Sequence, residues 1–190
     1  MRYDILKQIV SMLQEEYVIC NIGIPSKELH HLKDRPRNFY MLGSMGLASS
    51  IALGVAIAQP EKRVWSVDGD GSLLMNLGCL ATIANVNPAN LTLLVIDNGA
   101  YGSTGSQKTY TRYKTKLDVV AKGAGFKPEN IHVLSEPESL PKKLTKLREQ
   151  KQDGAQFILI KTEPGNKRLP RIDMEAVDIK IRFMNDLKKE

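Results

Sequence analysis

The sequence predicts an α/β fold, a three-layer α/β/α arrangement on a mostly parallel sheet, and three observations carry that prediction. Segments of helical periodicity alternate with short apolar runs along the 190 residues. One of these runs, Leu91-Thr92-Leu93-Leu94-Val95-Ile96, is apolar almost throughout, as expected of a parallel strand covered on both faces. Between Val64 and Gln107 the only charged side chains are Asp68, Asp70 and Asp97. A stretch that poor in lysine, arginine and glutamate reads as the buried centre of the domain, with a few carboxylates retained for a purpose.

The elements follow in order. Ile5, Leu6, Ile9, Val10 and Leu13 fall at helical spacing and predict an amphipathic helix over 3–16. Residues 17–20 form a strand, followed by a turn over 21–26 that contains Gly23 and Pro25. A second strand over 38–42 ends at Gly43. Residues 44–59 are rich in alanine and other small residues and predict a closely packed helix, with Ser44 near its N-cap and Pro60 beyond its end. The strand 63–67 leads into Asp68-Gly69-Asp70-Gly71, and the helix 72–86 is stopped by Asn87-Pro88. After the strand 91–96 comes a loop over 97–109, rich in glycine and hydroxyl residues. Helices over 117–125, 138–150 and 176–188 and a strand over 157–161 complete the chain, with no repeat or linker, so 1–190 reads as a single domain.

Composition narrows the class. A hydrophobic fraction of 42% with mixed charge excludes a disordered chain. No run approaches the roughly 20 apolar residues that a bilayer-spanning helix needs, and MRYDILKQIV lacks the apolar core of a secretion signal. Cys20 and Cys79 make neither a disulfide framework nor a zinc pair and read as reduced thiols of a cytoplasmic protein. The net charge of +6 resides in residues 109–190, which carry eighteen Lys/Arg against twelve Asp/Glu. Those lysines are interspersed with acids and lack aromatic interleaving, so a solvated face or subunit contact is favoured over nucleic acid. His30, His31 and His132 lack metal-ligand spacing and read as surface residues.

The chemistry concentrates where two consecutive strands end. One ends in Gly69-Asp70-Gly71-Ser72 and the next in Asp97-Asn98. In parallel α/β sheets ligands collect at the carboxyl ends of strands. Asp70 and Asn98 can offer a carboxylate and an amide oxygen to one hard cation such as magnesium, which retains phosphate and water in its octahedron. The glycines admit a phosphate to the backbone, and a helix opening at Ser72 directs free N–H groups toward it, with no side-chain cation required. A Walker A ending is absent, and Gly69-Asp70-Gly71 lacks the third glycine of a dinucleotide fingerprint. Isolated Asp and Asn residues usually cap turns and helices. Here the glycines and the spacing favour a metal-bridged diphosphate instead.

Gly69-Asp70-Gly71, twenty-five residues, then Asp97-Asn98 resembles the diphosphate-binding motif of thiamine-diphosphate enzymes. Asp97 stands where most of that family has Asn, a variation of the phosphonopyruvate and sulfopyruvate decarboxylase subgroup. The segment from Gly43 to Gly54 looks like that subgroup's contact with the aminopyrimidine ring, and Tyr101-Gly102-Ser103-Thr104-Gly105-Ser106-Gln107 looks like its active-site loop. The resemblance implies a 2-oxoacid decarboxylase that uses thiamine diphosphate and Mg2+. It further implies sulfopyruvate of the coenzyme M pathway as substrate, with phosphonopyruvate or another 2-oxoacid bearing an anionic head group as the alternative. A non-catalytic scaffold that kept the fold is the rival of another class, and intact Asp70, Asn98 and Met45 speak against it.

Residue roles follow from the same resemblance. Asp70, Asn98 and the Ala100 carbonyl match the magnesium ligands. Gly69, Gly71, Ser72, Tyr101, Gly102 and Ser103 match positions around the diphosphate. Gly43, Ser44 and Met45 match the pyrimidine segment, where the Gly43 carbonyl accepts the amino group and Met45 props the cofactor into its bent shape. The glutamate that activates the pyrimidine is missing, because Glu15, Glu16 and Glu28 stand in no matching context. An alpha subunit carrying the pyrimidine-binding domain is therefore the expected partner, in a hetero-oligomer. Thr104, Ser106, Gln107 and Lys108 either contact substrate or form a mobile polar lid.

Overall fold

The computed structural model describes residues 1–189. Helix α1 (Arg2–Met12) precedes strand β1 (Tyr17–Cys20), and helix α2 (Ile24–Leu32) leads to β2 (Asn38–Tyr40). Helix α3 (Ala48–Ala58) is followed by β3 (Val64–Gly69), a short α4 (Asp70–Leu74), α5 (Gly78–Val86) and β4 (Leu91–Asp97). A small hairpin, β5 (Ala100–Tyr101) and β6 (Gln107–Lys108), comes next, followed by a 3-10 turn at Tyr110–Arg112 and α6 (Leu117–Gly123). The chain ends with β7 (Ile131–Leu134), α7 (Leu140–Glu149), β8 (Gln156–Lys161) and α8 (Ala176–Leu187).

Six strands form one sheet in the order β2-β1-β3-β4-β8-β7, with every adjacent pair parallel. Side-chain alternation splits the core in two. Leu91, Leu93 and Val95 join residues of α3, α5 and α6 on one face, whereas Leu94 and Ile96 join residues of α1, α2 and α7 on the other. Helices on both faces of a parallel sheet make the three layers. From β1 the chain runs outward to β2, and from β3 it runs the other way to β4. The crevice between the ends of β1 and β3 is therefore the topological switch point, where such sheets bind ligands.

Local differences from the sequence prediction have physical causes. Pro25 sits in the first turn of α2, where its missing N–H costs nothing, so the expected turn is a helix start. Ser44 is not an N-cap. It adopts φ 59°, the Leu47 amide bonds its carbonyl, and α3 begins only at Ala48. The helix expected over 72–86 starts at Asp70 and breaks after Leu74. At the break, the Asn76 amide group donates to the Gly46 carbonyl and the Ser50 hydroxyl instead of facing solvent. Strand β7 lies at the sheet edge with half-exposed residues, which weakens its apolar signal. Residues 64–107 are not buried throughout either, because α5 turns Gly78, Ala81, Thr82, Asn85 and Val86 outward. Of the histidines only His31 is exposed. His30 packs edge-on against Tyr40, and His132 meets Gln156.

Candidate cofactor site

The carboxyl ends of β1, β3 and β4 enclose one cavity. Its walls include Met45, Gly69, Asp70, Gly71, Ser72, Asn98, Ala100, Tyr101, Gly102 and Ser103, so the structure gathers ten predicted residues at the switch point. Gly43 and Ser44 do not join them. Both are exposed and line a separate groove against Phe39, Ile51 and α8. The turn 21–25, absent from the sequence-based set, forms the facing wall. Its signal in the sequence is Gly23 after an apolar strand, a residue with φ 79° that opens α2.

Each polar group is held by its neighbours. Asp70 is buried, and its Oδ2 accepts hydrogen bonds from Thr109 Oγ1 at 2.5 Å and Thr111 Oγ1 at 3.0 Å. Among the described residues no side chain donates to its Oδ1. Burial pushes the Asp70 carboxyl above the ordinary range; the threonine hydroxyls hold it down, and Asp97 pushes it up. Asn98 is also buried, and its Oδ1 accepts the Ala100 amide at 3.0 Å, which fixes the turn that presents the Ala100 carbonyl. An amide oxygen has a second lone pair, so this bond leaves room for a cation. Asp68, two residues earlier in β3, is pushed up to about 6 by burial, against hydrogen bonds from Ser72, the Gly69 amide and Ser49.

Gly71 is required by a close approach. A Cβ there would lie 2.4 Å from Tyr101 Cε1 and 3.1 Å from Thr109 Cγ2. The Tyr101 ring thus lies directly over this glycine. Ser72 is less free than a diphosphate ligand would be, because its Oγ accepts the Gly46 amide at 3.0 Å. That bond brings the Met45 segment against α4.

Two further groups reach the site from distant sequence. Asn166 donates to the Gly102 carbonyl at 2.7 Å and accepts from Arg2 Nη2 at 2.8 Å. Arg2 also lines the cavity, but its guanidinium pairs through two nitrogens with fully buried Glu28, so its charge is already answered. Among the described residues no three His, Cys, Asp or Glu side chains converge on a metal position. The donor set Asp70, Asn98 and a backbone carbonyl therefore fits magnesium only if phosphate and water complete its shell, which is magnesium's habit. Buried Asp70, with one oxygen free of side-chain donors among the described residues, leaves a position for such an ion.

A parallel sheet with a glycine-flanked aspartate lining the cavity at its switch point is the arrangement of a phosphate-ligand site in α/β proteins. The chain belongs to the thiamine pyrophosphate enzyme family: the profile of the C-terminal TPP binding domain matches residues 21–160. Within that family it is a member of the sulfopyruvate decarboxylase beta-subunit group. "Sulfopyruvate decarboxylase subunit beta" of Methanocaldococcus jannaschii is 50% identical over 99% of this chain and 97% of its own length. "Sulfopyruvate decarboxylase" of Methanosarcina acetivorans is 40% identical over the whole of this chain, which covers 48% of that longer protein. Phosphonopyruvate decarboxylases match over a smaller share. A solved structure from Mycobacterium smegmatis, described as a thiamin diphosphate-dependent enzyme, superimposes with TM-score 0.68 over 85% of this chain and 32% of its own. At 16% identity that likeness speaks to the fold.

Proposed function

We propose that this chain is the beta subunit of a thiamine-diphosphate- and Mg2+-dependent sulfopyruvate decarboxylase, converting 3-sulfopyruvate to sulfoacetaldehyde and CO2 in coenzyme M biosynthesis. The observation that carries the reading is the convergence of Gly69–Ser72, Asn98–Ser103 and Met45 on one cavity at the switch point. When bound, thiamine diphosphate supplies the sink for the electrons left as carbon dioxide departs. Asp70, Asn98 and the Ala100 carbonyl are the groups that would hold the metal. Backbone N–H groups near Gly71 and Gly102, with the Ser103 hydroxyl, would take the diphosphate oxygens. Met45 would keep the cofactor bent. The Gly43 carbonyl stands on an exposed loop outside the cavity, so its role toward the pyrimidine would place that ring beyond the cavity, toward the partner.

A partner supplies the other half in this reading. The cavity measures about 100 Å3, below the roughly 300–1,000 Å3 of ordinary small-molecule sites. None of Glu15, Glu16 and Glu28 lines it: they pair with Arg37, Arg148 and Arg2 respectively. Leu42, Leu47 and Met75, all exposed, flank the Met45 segment as an apolar rim. The longer Methanosarcina relative carries about twice this chain's length on one polypeptide. An alpha subunit with the pyrimidine-binding domain would cover the rim and bring the activating glutamate. No helix among the described residues is long and apolar enough to cross a membrane. Two free buried thiols support the cytoplasm as its compartment.

The test is carbon dioxide release by the chain mixed with its partner, across a panel of 2-oxoacids. Sulfopyruvate should be preferred when it competes with phosphonopyruvate. Preference for the phosphonate would overturn the substrate assignment, and release from neither would overturn the activity.

A further inference from the structure

The cofactor reading leaves Asp97, Lys161, Thr109 and Thr111 without roles. Asp97 and Lys161 are register partners at the ends of β4 and β8, and their side chains form an ion pair. Asp97 is buried, while Lys161 is partly exposed in a second, larger cavity of about 380 Å3 on the far side of the 97–98 turn. The other carboxylate oxygen of Asp97 accepts the Gly99 amide at 3.2 Å and lies 2.9 Å from Thr111 Oγ1. Thr111 Oγ1 also lies 3.0 Å from Asp70 Oδ2 and 2.9 Å from Thr109 Oγ1. Thr109 itself donates to Asp70 Oδ2.

Counting protons makes this chain directional. Each threonine hydroxyl carries one proton. Thr109 commits its proton to Asp70. Thr111 stands between two carboxylates with a single proton to give. The Lys161 ammonium answers Asp97 and so weakens that carboxylate's demand for it. The Thr111 proton is then available to Asp70, whose Oδ2 gains two donors from one side. Two donors on one oxygen restrain the carboxylate's rotation, and among the described residues Oδ1 keeps no side-chain donor, which leaves it to face a metal.

We propose that Thr109 and Thr111, biased by the Asp97–Lys161 pair, are positioning residues that fix Asp70 as a magnesium ligand. The inference rests on the cofactor reading above. Partners that orient a metal ligand typically change metal affinity about 10- to 100-fold when removed.

The experiment measures the Mg2+ concentration that gives half-maximal thiamine diphosphate binding by the complex of this chain with its partner subunit, followed by calorimetry. T109V and T111V should each raise it about tenfold, and T111S, which restores the hydroxyl, should return it to within about twofold of wild type. K161M, which acts only through Asp97 and Thr111, should raise it roughly threefold, less than the loss of a direct partner. T111V/K161M should be no worse than T111V, because both changes act on one proton. Unchanged Mg2+ dependence in T109V and T111V, or additive effects in the double variant, would overturn the proposal. If the valine variants do not fold, K161M decides alone: an unchanged value overturns the proposal and a raised one supports it. Wild-type binding that ignores Mg2+ would overturn the cofactor reading itself, and the network with it.

Discussion

The Gly46 amide donates to Ser72 Oγ at 3.0 Å, and this bond ties the loop bearing Met45 to the helix bearing Asp70. Asn76 completes the clamp by donating to the Gly46 carbonyl at 3.1 Å. The approach needs glycine, since Gly46 has φ 95° and a Cβ would lie 3.2 Å from both Met75 Cβ and the Ser72 carbonyl. Gly46→Ala should therefore cost about 1–3 kcal/mol in urea unfolding, the usual range for a side chain forced into that region. A loss below about 0.5 kcal/mol, the level of an ordinary surface change, would show that the clamp is loose.

The Arg2–Glu28 pair makes a different kind of prediction. Both side chains are buried, and Asn166 and the Lys167 amide complete the cluster. Removing one partner strands a buried charge, so Arg2→Met should destabilise the protein by about 3–5 kcal/mol. Arg2→Met with Glu28→Leu should recover most of that loss, because the stranded charge is then gone. Equal instability of the single and double variants would place the effect in packing.

Strands β1 to β4 and β8 and the Gly-Asp-Gly motif were legible because they are local, whereas β7 and the β5–β6 hairpin were not. Leu91–Ile96 is apolar except for Thr92, and Gly69-Asp70-Gly71 with Asn98 is a spacing along the chain. The surrounding supports were not legible, because they join residues far apart. Asn166 reaches Gly102 across 64 positions, Lys161 reaches Asp97 across the same number, and Arg2 reaches Asn166 across 164. Helix ends failed where a side chain serves tertiary structure: Asn76 bonds Gly46 and Ser50, and the helix breaks there. Ser44 resembles an N-cap in sequence, yet it carries a left-handed turn before α3. Asp97 was visible as a buried charge from the start, but its partner Lys161 was one of eighteen basic residues in the last third.

The thiols give a simple check of the core. Burial pushes Cys20 up to about 12 and Cys79 up to about 11, and both are free. Only a thiolate attacks a disulfide reagent. Ellman's reagent at pH 8 should therefore leave both unreacted in the native protein and titrate both in urea. Rapid labelling of Cys20 before unfolding would contradict the packing of β1.

His132 supplies a pH dependence. Burial holds its imidazole below the ordinary range, with the Gln156 bond acting against this and Lys143 and Lys146 adding to it. Its folded pKa is thus lower than its unfolded one, so protonation favours the unfolded chain. The stability it contributes is complete above about pH 6.5, the unfolded value, and is lost as the pH falls from there through the folded value. His132→Gln should flatten that part of the melting-temperature profile. An unaltered profile would assign the acid sensitivity elsewhere.

We propose that this chain holds a metal-bridged thiamine diphosphate through Asp70 and Asn98 but forms only half of the site. Calorimetric titration of thiamine diphosphate, with Mg2+ or EDTA and with or without the partner subunit, tests it most directly. Tight binding should require both Mg2+ and the partner, and Asp70→Asn should abolish it while the complex still assembles. Tight binding by Asp70→Asn, or by the wild-type complex in EDTA, would contradict the account.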